Sequence, residues 1–427
     1  MSLLDAFIAF PFREFTNMKL GLERVRSALR AIGNPQDSFP SVLIAGTNGK
    51  GSVARILESV LLASGYPVGL YTSPHLERFT ERIRRGGEEV EPSCLEEILS
   101  EWNRAGILSE GEIRTPEGDL SWFEKITVLA FAAFRRLGVP LAVLEVGLGG
   151  RLDATNAADP LVSAIVSIGE DHTRLLGRSL FDIAKEKAGV MREGKPVVLG
   201  NIRGDVLEFL QQAAYLQAAM PVVARRLPGT PENFSYGPYG GMKLGLKGGH
   251  QLQNAGVAIE LLEILATHGF TVSEGALRKG LAEVRHPGRL ELFAGSPPIL
   301  LDGAHNPPAF AALAAYLREE GPKAGVTVLI GMMADKDRLQ AWNLLKTLNP
   351  RFVFTEVPVL RSVKKEDWEA WSRSLGLQAP CFAEPLEAFQ EARRLTPPDG
   401  MVVITGSLYL VGALRTILAG FHGSKGL

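Results

Sequence analysis

Short apolar runs rich in valine, isoleucine and leucine recur along the chain, and most are followed by a stretch with helical periodicity. A run of this kind bounded by glycine or proline reads as a buried strand. Apolar residues recurring at three- and four-residue spacing read as the inner face of a helix. In the first part of the chain the runs fall at 41–46, 67–72, 140–146, 162–168 and 195–199, with helical patterns at 52–64, 94–105, 121–137 and 179–190. A longer helix is predicted over 250–268 and a shorter one over 273–284. The segment "RHPGRLELFAGSPP" then breaks the pattern with scattered glycine and proline, and marks a domain boundary. Beyond it the alternation restarts, with strands at 299–302, 326–330, 352–356 and 401–405 and helices at 307–319, 337–347, 365–375, 385–395 and 408–419. Such alternation predicts an α/β fold built on mostly parallel sheets: a large N-terminal domain over 1–287 and a smaller, Rossmann-like domain over 288–427. Ligands of such sheets sit beyond the C-terminal strand ends, so two domains of this kind are expected to face each other across a cleft.

A chain of 427 residues exceeds what one hydrophobic core organises, which agrees with two domains. Acids and bases nearly cancel, at a net charge of −1. That balance excludes bulk electrostatic binding of nucleic acid or of an anionic membrane, while leaving room for a local basic pocket. The two cysteines, Cys94 and Cys381, form no metal-ligand spacing, and a reduced cytoplasmic protein is the expectation. The opening "MSLLDAFIAFPFREF" carries Asp5 and no early basic region, so it does not read as a signal peptide. No apolar run reaches the roughly 18 residues that a membrane-spanning helix needs.

Candidate chemistry clusters at the predicted strand ends. "SVLIAGTNGKGSVARILESV", 41–60, is a strand, a glycine-rich turn and a helix, the arrangement whose backbone N–H groups receive phosphate oxygens. It departs from G-x-x-x-x-G-K-[ST]: Ile44 stands where the first glycine belongs, and Gly51 displaces the hydroxyl to Ser52. Lys50 would reach the β- and γ-phosphates and Ser52 a metal ion; the competing reading is a tight turn whose glycines answer only to sterics. "YTSPHLERFTERIRRGG", 71–87, has few apolar residues and is expected to be a loop. Its Arg82, Arg84 and Arg85 suit an anionic substrate or, alternatively, solvent. Glu145 ends an apolar strand, where a carboxylate needs a cation or a salt bridge, and Arg151, Asp153 and Asn156 follow it. Asp171 and His172 follow another strand. His172 alone reads as structural, but with Glu145 and Ser73 it makes a Mg²⁺ site, although imidazole is an unusual ligand for a cation that prefers oxygen. By spacing, Lys185 and Lys187 both read as solvated helix lysines. In the second half, Arg289 lies at the domain boundary. Asp302, His305 and Asn306 lie between a strand and a helix, and Ser407 repeats that placement; helix capping accounts for part of this pattern.

Taken in order, "GTNGKGS", "TSPHL", "RFTERI", "EVGLGGRLDATN", "DHTRLLG", "EKAGVM", "GGHQLQNAGVA", "HPGRLE", "LDGAHNP" and "TGSLYLVG" resemble folylpolyglutamate synthase, including the bacterial type that doubles as dihydrofolate synthase, within the Mur ligase superfamily. "LGLERV", at 20–25, adds to the resemblance, which runs almost end to end. It implies a Mur-ligase-like P-loop domain for ATP and folate, followed by a ligase domain that binds glutamate. Carried over by position, it implies ATP contacts at Thr47, Asn48, Gly49, Lys50, Gly51, Ser52, Asn254, Arg289, Asp302 and His305. It implies folate contacts at Phe79, Thr80, Arg82 and Asp153, and glutamate contacts at Ser407 and His305. Metal ligands would be Ser52, Ser73, Glu145, His172 and Lys187, the last as a CO₂-derived carbamate. Lys50, Lys187, Asp302 and His305 would carry the catalysis.

The implied cofactors are ATP and Mg²⁺, with K⁺ as a candidate further cation. The implied reaction joins L-glutamate to the γ-carboxylate of a folate through an acyl phosphate, with dihydropteroate as a second acceptor. The partners would be these small molecules, with no nucleic acid and no membrane, and the protein a monomer. The alternatives are a folylpolyglutamate synthase without the second activity, another Mur-type amide ligase such as a UDP-muramoyl amino-acid ligase, or a P-loop kinase or nucleotide switch. The early position of the loop leaves no room for the uridine-nucleotide domain of the muramoyl ligases. The second α/β domain with "LDGAHNP" counts against the kinase.

Overall fold

The computed structural model describes residues 2–9, 21–109 and 112–423. The opening apolar stretch beyond Ala9, and the first residue of "LGLERV", lie outside the described residues. The chain divides into two compact units. One comprises Met1–Gly245 with Gln251–Val284, the other Leu246–His250 with Arg285–Leu427.

The first unit is organised by an eight-stranded sheet. Its strands are β1 (Ser41–Ala45), β2 (Gly69–Tyr71), β3 (Ile83–Arg85), β4 (Glu88–Glu89), β5 (Ala142–Glu145), β6 (Val162–Ile165), β7 (Pro196–Leu199) and β8 (Met220–Val223), in the order β8-β7-β6-β1-β5-β2-β3-β4. All pairs from β8 to β2 are parallel; β3 and β4 run antiparallel to their neighbours. Every residue of β1 is buried, as a central parallel strand covered on both faces requires. Burying Val42, Leu43 and Ile44 contributes on the order of 1.5–3 kcal/mol each. The register sets Ile44 beside Glu145 of β5 and Ala164 of β6, so the turns that leave these three strands emerge side by side. Helix α1 (Lys50–Ala63) follows β1, and α2 (Leu180–Ala188) lies between β6 and β7. Helices α3 (His250–Ala266) and α4 (Glu274–Glu283) come after β8. Helix α4 lies close against α1, where the Ser59 hydroxyl donates to the Gly280 carbonyl at 2.7 Å.

In the second unit the strands are β9 (Glu291–Phe293), β10 (Ile299–Leu301), β11 (Val326–Ile330), β12 (Arg351–Thr355), β13 (Cys381–Phe382) and β14 (Met401–Thr405), in the order β9-β10-β14-β11-β12-β13. Only β9 is antiparallel. Helix α5 (Pro307–Glu320) follows β10, and α6 (Leu408–Gly423) follows β14. Phe354 stacks on Trp368 at 4.8 Å, with Trp371 edge-on, and this aromatic group fills the core beside β12.

Both units are thus α/β with mainly parallel sheets, the class the alternating pattern predicts. One reading is corrected: 71–87 is not wholly a loop. Phe79–Arg82 forms a 3₁₀ turn and Ile83–Arg85 a strand paired with Gly69–Tyr71. Only Ile83 of that strand is buried and its other two residues are arginines, so this short strand, second from the sheet edge, carries no apolar alternation. Between 199 and 250 the pattern also left out a helix, Gly204–Leu216, and β8. No helix among the described residues is long and apolar enough to cross a membrane.

Candidate active site

The turn after β1 is built around Gly49. It is the N-cap of α1 with φ +84, a left-handed conformation that glycine adopts at no steric cost. A Cβ there would run into the Asn254 amide and approach Val166 Cγ1 to 2.9 Å. The two preceding residues are tied to the turn after β6. The Thr47 N–H donates to the Ser167 carbonyl at 2.9 Å, and the Asn48 N–H donates to Ser167 Oγ at 2.9 Å. The amides of Thr47 and Asn48 are therefore engaged internally. Those at the start of α1, where the helix offers N–H groups without intrahelical acceptors, are the ones placed for an anion. Asn254 from α3, itself donating to Gln251 Oε1 at 2.8 Å, lines the other side of Gly49. Gln251 and Ser167 carried no signal in the sequence that would set them apart from other polar residues.

Two lysines converge on one carbonyl of this turn. Lys50 Nζ donates to the Gly46 carbonyl at 2.9 Å and to that of Thr47 at 3.2 Å, and Lys187 Nζ donates to the same Gly46 carbonyl at 3.0 Å. Lys187 is only 3% exposed, which corrects its reading as a solvated helix lysine; Lys185 is exposed. The reason lies in the helix period: Ile183, Ala184, Lys187 and Ala188 form the buried stripe of α2, and Lys187 is one of its members. Burial, and then the nearby Lys50 charge, push the Lys187 amine down to about 7.

Glu145, at the end of β5, is buried, and its Oε2 accepts the Ser73 N–H at 3.0 Å. Ser52 is buried in the first turn of α1. His172 caps a one-turn helix in the left-handed region, φ 49, uncommon for a side-chain-bearing residue, with its N–H on Asp171 Oδ1 at 2.9 Å. The Asp153 carboxylate accepts the Leu148 N–H at 2.8 Å, the Thr155 N–H at 3.0 Å and the Thr155 hydroxyl at 2.6 Å. Asp153 thereby shapes the loop after β5; burial raises its pKa, and these bonds oppose the rise. Arg151 pairs with Glu186 at 2.8 Å. Asn156 holds the Arg151 and Gly189 carbonyls at 3.0 Å each.

A second group of side chains surrounds the 3₁₀ turn. Arg82 is buried, with its guanidinium 4.8 Å from the centre of the Trp122 ring and its Nε donating to His75 Nδ1 at 2.8 Å. Phe79 meets the edges of Trp122 and His75 at 6.2 and 6.5 Å, and the Thr80 hydroxyl donates to Glu89. Burial and Arg82 hold His75 down to about 4, which keeps its ring neutral and able to accept from Arg82. Trp122 escaped the sequence reading because an aromatic residue at the start of a helix usually signals only core packing.

The remaining candidates belong to the second unit. Asp302, just past β10, is buried and accepts the Leu290 N–H and the Ala304 N–H, each at 3.0 Å. It fastens the turn containing Arg289 to the strand end and holds Leu290 at φ 46. Burial raises the Asp302 pKa, and Arg289 opposes the rise. His305 Nδ1 lies 2.8 Å from the Gly303 carbonyl. Asn306, not Asp302, caps α5, accepting the Ala309 N–H at 3.1 Å. Ser407 is buried at the start of α6, where its hydroxyl accepts the Tyr409 N–H at 3.2 Å.

Comparison with known proteins fits this geometry. Residues 288–408 match the family model described as "Mur ligase, glutamate ligase domain". Along 93% of its length the chain is 34% identical to the folylpolyglutamate synthase of Lacticaseibacillus casei, covering 94% of that protein. The chain belongs to the folylpolyglutamate synthase/dihydrofolate synthase family. It is an ATP-dependent ligase that joins glutamate to folates. Structures of the family superpose closely. Escherichia coli FolC in complex with DHPP and ADP matches with a TM-score of 0.83 at 30% identity, covering 97% of this chain and 99% of that one. A bifunctional folylpolyglutamate synthase/dihydrofolate synthase with Mn, AMPPNP and L-glutamate bound matches with a TM-score of 0.82 at 29% identity, covering 96% and 99%.

Proposed function

We propose that the glycine-rich turn after β1 is where this ligase binds ATP, and that it activates two acceptors there: the terminal carboxylate of a reduced folate and the carboxylate of dihydropteroate. The observation that carries this reading is the meeting of Lys50 and Lys187 at the Gly46 carbonyl, beside a helix start whose amides face an incoming anion. A carboxylate oxygen attacks the γ-phosphorus, the bond to the bridging oxygen breaks, and ADP leaves with that electron pair. The amino nitrogen of L-glutamate then attacks the acyl carbon, losing a proton, and inorganic phosphate departs. Lys50 releases its two carbonyls to neutralise charge on the transferring phosphoryl oxygens.

The candidate donors suit a hard divalent cation by type: the Ser52 and Ser73 hydroxyls and the buried Glu145 carboxylate would be oxygen ligands, with His172 as a nitrogen ligand. Mg²⁺ or Mn²⁺ held there would supply Lewis-acid neutralisation of the phosphate oxygens. A desolvated, neutral Lys187 amine is a nucleophile for CO₂. Its nitrogen bonds the carbon and releases a proton, and the product carbamate puts an anionic oxygen donor where a neutral amine stood. In the 3₁₀ region the Phe79 ring, edge-on to Trp122, and the Arg82 guanidinium over Trp122 are the aromatic and cationic groups assigned to a folate. Within the second unit, Asp302, His305 and Ser407 are the residues assigned to substrate contacts.

The deciding experiment is a side-by-side assay of ADP release with dihydropteroate and with a tetrahydrofolate, each with ATP, Mg²⁺ and L-glutamate. ADP release that requires glutamate is expected with both acceptors. Release with the tetrahydrofolate alone would reduce the protein to a single activity, and release with neither acceptor present would refute the ligase reading.

A further inference from the structure

The turn that carries Lys50 is joined to the turn after β6 by two hydroxyls, each making two hydrogen bonds. Ser167 Oγ accepts the N–H of Asn48 and donates to the carbonyl of the same residue, both at 2.9 Å. In the opposite direction, Thr47 Oγ1 accepts the Gly169 N–H at 3.0 Å and donates to the Gly169 carbonyl at 3.1 Å. The Thr47 N–H on the Ser167 carbonyl closes the ladder. Each hydroxyl satisfies both backbone groups of one residue on the other turn, using its single proton and a lone pair. The pair acts as a staple between two segments that belong to no common helix or strand.

We infer that Ser167 is a positioning residue for the nucleotide, and that together with Thr47 it sets ATP affinity by holding the Gly46–Gly49 turn in its phosphate-receiving shape before ATP arrives. This rests on the nucleotide reading of the turn given above. With residues 47 and 48 fixed, Gly49 is presented in its left-handed conformation, and the N–H groups that follow it point outward from the helix start. Without the staple, the backbone groups of Asn48 and Gly169 exchange with water, and the turn must be ordered by the nucleotide itself. Ordering a few backbone residues on binding lowers affinity, here by roughly ten-fold. The same staple sets the position from which the chain runs on to His172.

The test uses the full-length protein with the variants Ser167→Ala, Ser167→Thr and Thr47→Val. ADP affinity is measured by calorimetry, KM for ATP and for a tetrahydrofolate by ADP release, and melting temperature without nucleotide. For Ser167→Ala a roughly ten-fold weaker ADP affinity and a similarly raised KM for ATP are expected, with KM for the folate within about two-fold of wild type. Ser167→Thr keeps the hydroxyl and restores ADP affinity. Thr47→Val has nearly the same shape without the hydroxyl and shifts in the same direction, so the inference stays testable if Ser167→Ala fails to fold. ADP affinity within about two-fold of wild type in both hydroxyl-less variants overturns the inference. So does an equal rise in both KM values, the signature of a general loosening. Lys50→Ala separates the two layers: normal ADP affinity and turnover in that variant would refute the nucleotide reading and the staple with it. Loss of turnover in Lys50→Ala beside a normal Ser167→Ala would refute the staple alone.

Discussion

At the scale of single residues, Lys187 shows how a position on a helix decides the chemistry of a side chain. Two residues along from the exposed Lys185, it falls on the opposite side of α2, so its amine ends against the Gly46 carbonyl rather than in water. An ordinary lysine there would place a second positive charge beside Lys50 within a buried site, and the depressed pKa reflects that conflict. The proposed conversion to a carbamate would turn the conflict into an attraction. Lys187→Ala is expected to lower kcat roughly 100-fold or more, the scale of losing one preorganised charged group, with partial recovery on adding short-chain carboxylates such as acetate. Turnover of Lys187→Ala at the wild-type rate would remove the carbamate from the account. A ¹³C signal bound to the wild-type protein from labelled bicarbonate, and missing in the variant, is the matching direct observation.

Among the elements, the turn between β1 and α1 is the one that ordinary motif matching rejects, since Ile44 replaces a glycine and Ser52 arrives one residue late. The structure gives a physical reason for where its glycine stands. Gly49 must be left-handed and must lie against Asn254, and both demands exclude a side chain. Gly49→Ala is therefore expected to destabilise the first unit by about 1–2 kcal/mol and to weaken ADP binding. Denaturant unfolding and calorimetry check this, and an unchanged protein by both measures would contradict the packing described here. The strands and helices themselves were largely legible, because central parallel strands are continuous apolar runs and α/β helices keep a clear period. The strand Ile83–Arg85 was not, since it shows one buried apolar residue and two arginines. Arg84 is there because its Nε donates to the buried Glu58 of α1 at 3.0 Å, a tertiary partner that no local pattern announces. Within the candidate site, the strand-end residues Glu145 and Asp302 stood out because a carboxylate ends an apolar run. Ser167 and Trp122 did not, since their partners lie far away in sequence.

For the whole molecule, the return of Leu246–His250 to the second unit was not readable in the sequence, because it depends on tertiary contacts alone. His250 carries a consequence for the stability of that unit. Burial and then Arg289 lower its pKa from 6.5 to about 4. Between those values the unfolded chain takes up a proton that the folded one refuses, so stability falls as pH drops through this window, and the full loss is reached below about 4. Denaturant midpoints should show wild type losing about 2 kcal/mol more than His250→Gln over that range. Parallel pH profiles for the two proteins would contradict the burial of a neutral imidazole. The central claim concerns the whole reaction, that a carboxylate is phosphorylated by ATP before the amide forms, and its most direct test follows the oxygen atoms. With a tetrahydrofolate labelled with ¹⁸O in its γ-carboxylate, turnover in the presence of ATP and L-glutamate should release inorganic phosphate carrying one labelled oxygen per amide formed. Product formation with unlabelled phosphate would show that no acyl phosphate is made and would contradict the account.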